Sequence, residues 1–284
     1  MTYEELKIQF DLNEPIDVLR SVAKENHDND WFIVCDDGDC HLFDDNGNEI
    51  DIRGIKILDE YVISKDIKKI NVPNSIKVIK NSTFYDCRNL KSITIPDSIE
   101  SIEKCTFHSC INLESIAIPD SIKTIEDRMF YNCKNLTSIT IPNSINYINE
   151  YAFTACKKLT SILIPNSVKE IKSYVFSHCE NLTSINIPDS IKHIGNSVFA
   201  YCENLTSISI SDSIKIIGDY AFFVCKNLKS ISIPDSVEYI GYDAFYDCLN
   251  LKSIIFKGKT INQVKLMIYY PWGIKDESII KCIG

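Results

Sequence analysis

Apolar positions recur along this chain at one fixed step of 23 residues. Pro73, Pro96, Pro119, Pro142, Pro165, Pro188 and Pro234 share one register, broken only at Ser211. Phe84 to Phe245, Cys87 to Cys248 and Leu90 to Leu251 each repeat eight times at the same step. One unit reads N-L-x-S-I-x-I-P-[DN]-S-[IV]-K-x-I-x-x-x-x-F-x-x-C. Repetition at this length is the signature of stacked supersecondary units that bury one another's faces. In the unit starting at Leu136, Ile139 and Ile141 flank Thr140, which predicts a short strand with one face inward. Pro142 ends the strand because it offers no N–H to a ladder, and Asn143-Ser144 suits a turn. Ile145 and Ile148 point inward again. Phe153, Cys156 and Leu159 then follow at steps of three, a spacing that predicts a short helical turn over 149–158.

The two ends depart from the repeat. Residues 2–26 read as amphipathic helices, 31–35 and 41–43 as strands, and 49–52 as a further extended piece after an Asp-Asn-Gly-Asn turn. At the far end Thr260-Ile-Asn-Gln263 fits a capping box opening a helix through about Ile268, with a possible strand within 277–282. The expected organisation is an acidic α+β N-terminal cap at 1–50, a solenoid at 51–256 and a C-terminal capping segment at 257–284.

Charge separates these parts. Of 39 acidic residues fourteen lie in 1–50, against three of the 30 basic ones, so the repeat region is close to neutral. A neutral body matches a phosphate backbone poorly, which argues against nucleic acid. No apolar run approaches the length of a membrane helix, and the start lacks the pattern of a secretory signal. The expected compartment is the cytoplasm, or the cell surface should an export signal lie outside this sequence.

The residues of the strand and turn, L-x-S-I-x-I-P-[DN]-S-[IV], and of the return, as in Ala221-Phe222-Phe223-Val224-Cys225-Lys226-Asn227-Leu228, resemble the BspA-like leucine-rich repeats over about 65–256. The resemblance implies an α/β repeat fold, a right-handed leucine-rich-repeat solenoid of about eight to nine coils with short strands and helical turns. It also implies protein–protein contact, often as a surface adhesin.

Chemistry is sparse. The twelve cysteines could signal a disulfide framework, but eight form an in-register ladder whose side chains run parallel, the wrong geometry for S–S bonds. They read as reduced core thiols, which favours a reducing compartment. Cys35, Cys40 and His41 lack a second ligand pair for zinc, and Asp44, Asn46 and Asn48 lack the glycine of a calcium loop. His178 precedes Cys179, yet the same cysteine recurs in seven coils without such a neighbour, so a nucleophile pair is not supported. No nucleotide-loop or hydrolase motif occurs. No catalytic residue, metal or cofactor is therefore expected.

The expected function is a non-catalytic protein-binding scaffold. A surface adhesin is the alternative, and a regulator or enzyme acting through 1–50 is a second one. The strand face offers small residues, Thr94, Ala117, Thr140, Leu163, Asn186, Ser209 and Ser232. Aromatic anchors are expected elsewhere, at Tyr147, Tyr151, Tyr174, Tyr220, Phe223, Tyr239 and Tyr242. The last group could instead pack on Tyr269, Tyr270 or Trp272. The partner is unspecified, and self-association through open coil ends is left open.

Overall fold

The computed structural model describes residues 67–283 except Pro73, together with the backbone of the strands Phe32–Cys35, Cys40–Phe43, Glu49–Ile50 and Ile57–Leu58. The first three of these form an antiparallel sheet in that order, with Cys35 opposite Cys40. The expected helices of 2–26, the Asp44–Asn48 turn and the side chains of Cys35, Cys40 and His41 lie outside the described residues.

From Ile67 onward the chain winds as a solenoid of about nine coils, each with three legs. The first leg is a short strand. Lys69–Asn71 pairs with Ser92–Thr94, Ser115–Ala117 with Ser138–Thr140, and Ser184–Asn186 with Ser207–Ser209, always parallel and in register. Parallel pairing follows from the winding, because every coil returns to the same edge travelling the same way. The strand expected at 161–163 is missing. That stretch makes no strand pairing with its neighbours, and its outward residue Leu163 is 78% exposed. The second leg follows the proline turn. Thr124–Ile125, Tyr147–Ile148, Glu170–Ile171, His193–Ile194, Ile216–Ile217 and Tyr239–Ile240 join as one continuous parallel sheet.

The third leg corrects the expectation of helical turns. Residues 149–158 form consecutive turns rather than helix. The amides of Ala152, Thr154 and Cys156 bond back three residues, to Asn149, Tyr151 and Phe153. Those of Tyr151, Phe153 and Ala155 instead cross to Ser173, Val175 and Ser177 of the next coil at 3.2, 3.0 and 2.8 Å. Alternate amides thus serve the turn and the ladder. The alternation requires left-handed backbone twice per coil, at Tyr151 (φ 59°) and Ala155 (φ 60°), and at the equivalent positions from Ser82 to Asp247. Such residues cost about 1–2 kcal/mol each for side chains other than glycine. An amide that bonds to the next coil, where it would otherwise be buried unpaired, offsets that cost.

The core lies between the three legs and is a set of one-residue columns. Phe84, Phe107, Phe130, Phe153, Phe176, Phe199, Phe222 and Phe245 stack face to face, with centroids 5.4–5.8 Å apart and planes within 14°. The cysteine column has a polar task as well. Cys110 Sγ donates to the carbonyl of Phe84 at 3.1 Å, Cys156 to Phe130 at 3.3 Å and Cys248 to Phe222 at 3.1 Å, and the coils between repeat the contact. A thiol is small, apolar and carries one weak donor, which suits a buried position facing a carbonyl. All ten described cysteines are free.

After the last coil the chain makes a short helix, α1 (Ile261–Lys265). The capping box of Thr260 and Gln263 forms, but the helix stops at the C-cap Leu266 rather than reaching Ile268. Trp272 is fully buried against Phe256 and Tyr270, and its carbonyl accepts from the amide of Phe245 at 3.1 Å. It takes the place that a further coil would fill. Ile280–Ile283 pairs in parallel with Ser253–Lys257, extending the first-leg sheet by one strand. Gly273, at φ +81°, lies so close to Tyr246 that a Cβ would stand 2.9 Å from its backbone. No helix of the described residues is long and apolar enough to cross a membrane.

Candidate binding trough

The third leg carries a surface column one residue after each buried Phe. Along it Tyr85, His108 and Tyr131 are rings with centroids 4.7 Å apart per step, the first pair tilted by 37° and the second stacked. Phe223 and Tyr246 are rings again, 5.3 Å apart. Between them stand Thr154, Ser177 and Ala200. Three successive coils lack a ring, and the stack has a gap.

The gap has walls. On one side Tyr151 and Tyr174 stack at 4.6 Å with planes 6° apart. On the other His178 and Tyr201 stack at 4.3 Å and 8°. Both walls sit on the left-handed positions, since Tyr151, Tyr174, His178 and Tyr201 all have φ between 58° and 63°. That conformation is what turns them outward on either side of the floor. Tyr131 stands at one end, Tyr220 and Phe223 at the other, and the open trough has a volume of about 350 Å³. Thr154, Ser177, Ser197 and Ala200 are buried beneath. The Thr154 hydroxyl donates to the Tyr174 carbonyl, tying floor to wall.

No formally charged side chain lines the trough. Desolvation holds the His178 imidazole below its ordinary 6.5, against the opposing pull of Glu180. It is therefore neutral at pH 7. The carboxylates nearest that wall are paired, Glu180 with Lys157 at 2.6 Å and Glu203 with Lys226 at 2.9 Å. Charge gathers instead at the ends. The Arg128 guanidinium lies 4.7 Å over the Tyr151 ring with Glu150 beside it, while Asp219 precedes Tyr220 and Asp243 occupies the next coil of the same column. Burial, Tyr242 and these two carboxylates push the Tyr220 phenol up.

Four of the seven sequence-predicted anchors, Tyr151, Tyr174, Tyr220 and Phe223, line this trough. Tyr147 does not. It stands on the second leg, between Thr124 and Glu170, 42% exposed and apart from the stacked pair. Tyr239 and Tyr242 meet Tyr269 edge to face at 6.2 and 5.8 Å, so the C-terminal segment partly covers them. Tyr239 also donates to Asp219. Sequence reasoning missed Tyr131, His178, Tyr201 and the small floor. The signal was present: a column that reads Tyr, His, Tyr, Thr, Ser, Ala, Phe, Tyr changes size abruptly.

Catalytic chemistry finds no support at His178. Its ring turns outward to Tyr201, while Cys179 is fully buried, bonded to the Phe153 carbonyl and pushed up to about 12 by burial. Such a thiol does not supply a thiolate. Among the described residues no cluster of His, Cys, Asp and Glu could hold a metal. The first-leg face offers a shallower hollow, lined by Ser184, Asn186, Ser207, Ser209, Ser232 and Lys257 and lacking any aromatic anchor.

Comparison with known proteins agrees with the repeat. No curated protein sequence matches the chain. A leucine-rich repeat protein of T. pallidum is 27% identical over 65% of this chain and 78% of its own, with a TM-score of 0.50. A leucine-rich repeat protein from Bacteroides ovatus is 19% identical, over 90% of this chain and 99% of its own, with a TM-score of 0.43. The pneumococcal vaccine antigen PcpA is 20% identical, over 77% of this chain and 55% of its own, with a TM-score of 0.48. The family model described as the BspA type leucine rich repeat region matches residues 56–179 and 147–271 in six copies. The chain thus belongs to the BspA-type leucine-rich repeat family.

Proposed function

We propose that this chain is a non-catalytic scaffold that binds a partner protein in the trough between Tyr131 and Phe223. The observation that carries the reading is the gap of three coils in an otherwise continuous ring column. Packing alone would favour rings throughout, since each stacked pair contributes about 0.5–1.5 kcal/mol. Small residues at 154, 177 and 200 forgo that gain and leave aromatic walls open to solvent, the composition of an interface anchor site. Seven cysteine thiols serving as donors support a compartment that keeps them reduced, the cytoplasm.

Filling the trough tests this reading. Ser177→Tyr places in the floor a ring that the same column accepts at 85, 131 and 246, so the coil is expected to fold. Partner capture from a native extract should be lost on Ser177→Tyr with the unfolding midpoint unchanged. Equal capture by both proteins would remove the trough from the account.

A further inference from the structure

Resting on the protein-binding reading, the geometry points to one occupant: an uncharged, proline-rich segment in polyproline II conformation, running along the solenoid axis with prolines at every third position and a basic residue beyond its Tyr220 end. The first argument is register. Successive coils lie about 4.8 Å apart, the spacing of paired strands. The wall rings follow a similar step, 4.6 Å for Tyr151 to Tyr174 and 4.3 Å for His178 to Tyr201. A polyproline II helix rises about 3.1 Å per residue with about three residues per turn, a pitch of about 9.3 Å. Two coil steps come to about 9.6 Å. A P-x-x-P segment laid along the trough therefore presents a proline to every second coil, and the mismatch per turn is about 0.3 Å.

The second argument is extent. Tyr131 to Phe223 covers four coil steps, about 19 Å, which holds about six residues of such a helix and two to three prolines. Proline rings are flat, apolar and close in size to the rings missing at 154, 177 and 200. A polyproline helix has no internal hydrogen bonds, so its carbonyls need donors. Tyr151, Tyr174 and Tyr201 line the trough and carry phenol donors, and aromatic-lined grooves of this kind suit a preformed, low-entropy helix.

The third argument is charge. The lining is uncharged, so a charged residue inside would be desolvated without a partner. The ends differ: Arg128 beside Tyr151 is offset by the neighbouring Glu150, whereas Asp219 and Asp243 both stand beside Tyr220. A segment with a basic residue beyond the Tyr220 end complements these carboxylates.

The test is fluorescence anisotropy with the full chain and a labelled twelve-residue peptide. The peptide carries three prolines at every third position, Ala and Leu between them, and Arg at one end. A second peptide places the same prolines at every second position. Saturable binding of the first, at least tenfold tighter than the second and weakened at least tenfold by Ser177→Tyr, is the expected result. Tyr174→Ser should weaken it at least fivefold, a check through the wall rather than the floor, and circular dichroism monitors the fold of both variants. Absence of saturable binding at 1 mM protein overturns the proposal, as does equal binding of both peptides or undiminished binding by folded Ser177→Tyr. If the peptides fail while Ser177→Tyr still abolishes capture of a cellular protein, the polyproline occupant falls and the protein-binding reading stands. If capture is also indifferent to the filling, both fall.

Discussion

Removing one ring from the buried phenylalanine column tests whether neighbouring coils hold one another through it. Phe153 is fully buried and stacked on Phe130 at 5.4 Å and on Phe176 at 5.6 Å. Phe153→Leu keeps most of the side-chain volume but removes two aromatic pairs. At about 0.5–1.5 kcal/mol per pair, the expected loss is about 1–3 kcal/mol. Phe245 has one ring partner in the column, Phe222, so Phe245→Leu should cost about half as much. Phe153→Ala adds a cavity and should cost about 3–5 kcal/mol. Urea unfolding followed by circular dichroism measures all three, compared at equal slope, because a slope that falls would mean coils melting separately. A cost for Phe245→Leu equal to or above that of Phe153→Leu would refute the additive picture of ring pairs.

Further outcomes follow from the same structure. The thiols of Cys179 and Cys248 are pushed up to about 12 from an ordinary 9.0, chiefly by burial. A raised folded pKa gives stability that is complete below pH 9 and lost as pH rises towards 12, so the urea midpoint should fall through that window, and less steeply in Cys179→Ala. Iodoacetamide at pH 8.5 should label the buried cysteines of the native chain only as unfolding exposes them. Ala155→Gly should stabilise by up to about 1 kcal/mol in a thermal melt, because glycine relieves the left-handed backbone and its extra unfolded-state entropy only partly cancels the gain. Trp272→Ala should cost about 3–5 kcal/mol and expose the last coil to proteolysis near Phe245 before the middle coils are cut.

The repeat unit and its inward columns were legible because burial in a solenoid acts position by position. Phe153, Cys156, Leu159, Ile145 and Ile148 all have zero exposure, as their spacing requires. The backbone between them was not legible. Steps of three suit a helix and equally suit successive turns that bond back three residues. What separates the two is the crossing of Tyr151, Phe153 and Ala155 amides to the next coil, and side-chain spacing carries no trace of it. The missing strand at 161–163 has the same cause, since Ser161-Ile162-Leu163 alternates like its neighbours. For the candidate site, exposed tyrosines were visible one by one, but a trough is a relation among columns. Thr154, Ser177 and Ala200 matter by being small beside Tyr131 and Phe223, and Tyr147 drops out because its leg faces elsewhere.

The double ladder of the third leg bears on how such a chain can change over generations. A one-residue insertion between Tyr151 and Ala155 would exchange the amides that bond back for those that cross over, and it would displace the phenylalanine and cysteine columns together. No local adjustment restores all of these at once. Single-residue length changes should therefore be purged from this leg, whereas duplication or loss of 23 residues leaves every register intact. Lineages carrying this repeat should then differ by whole coils, and the trough should lengthen or shorten in the same increments, one ring-sized site at a time.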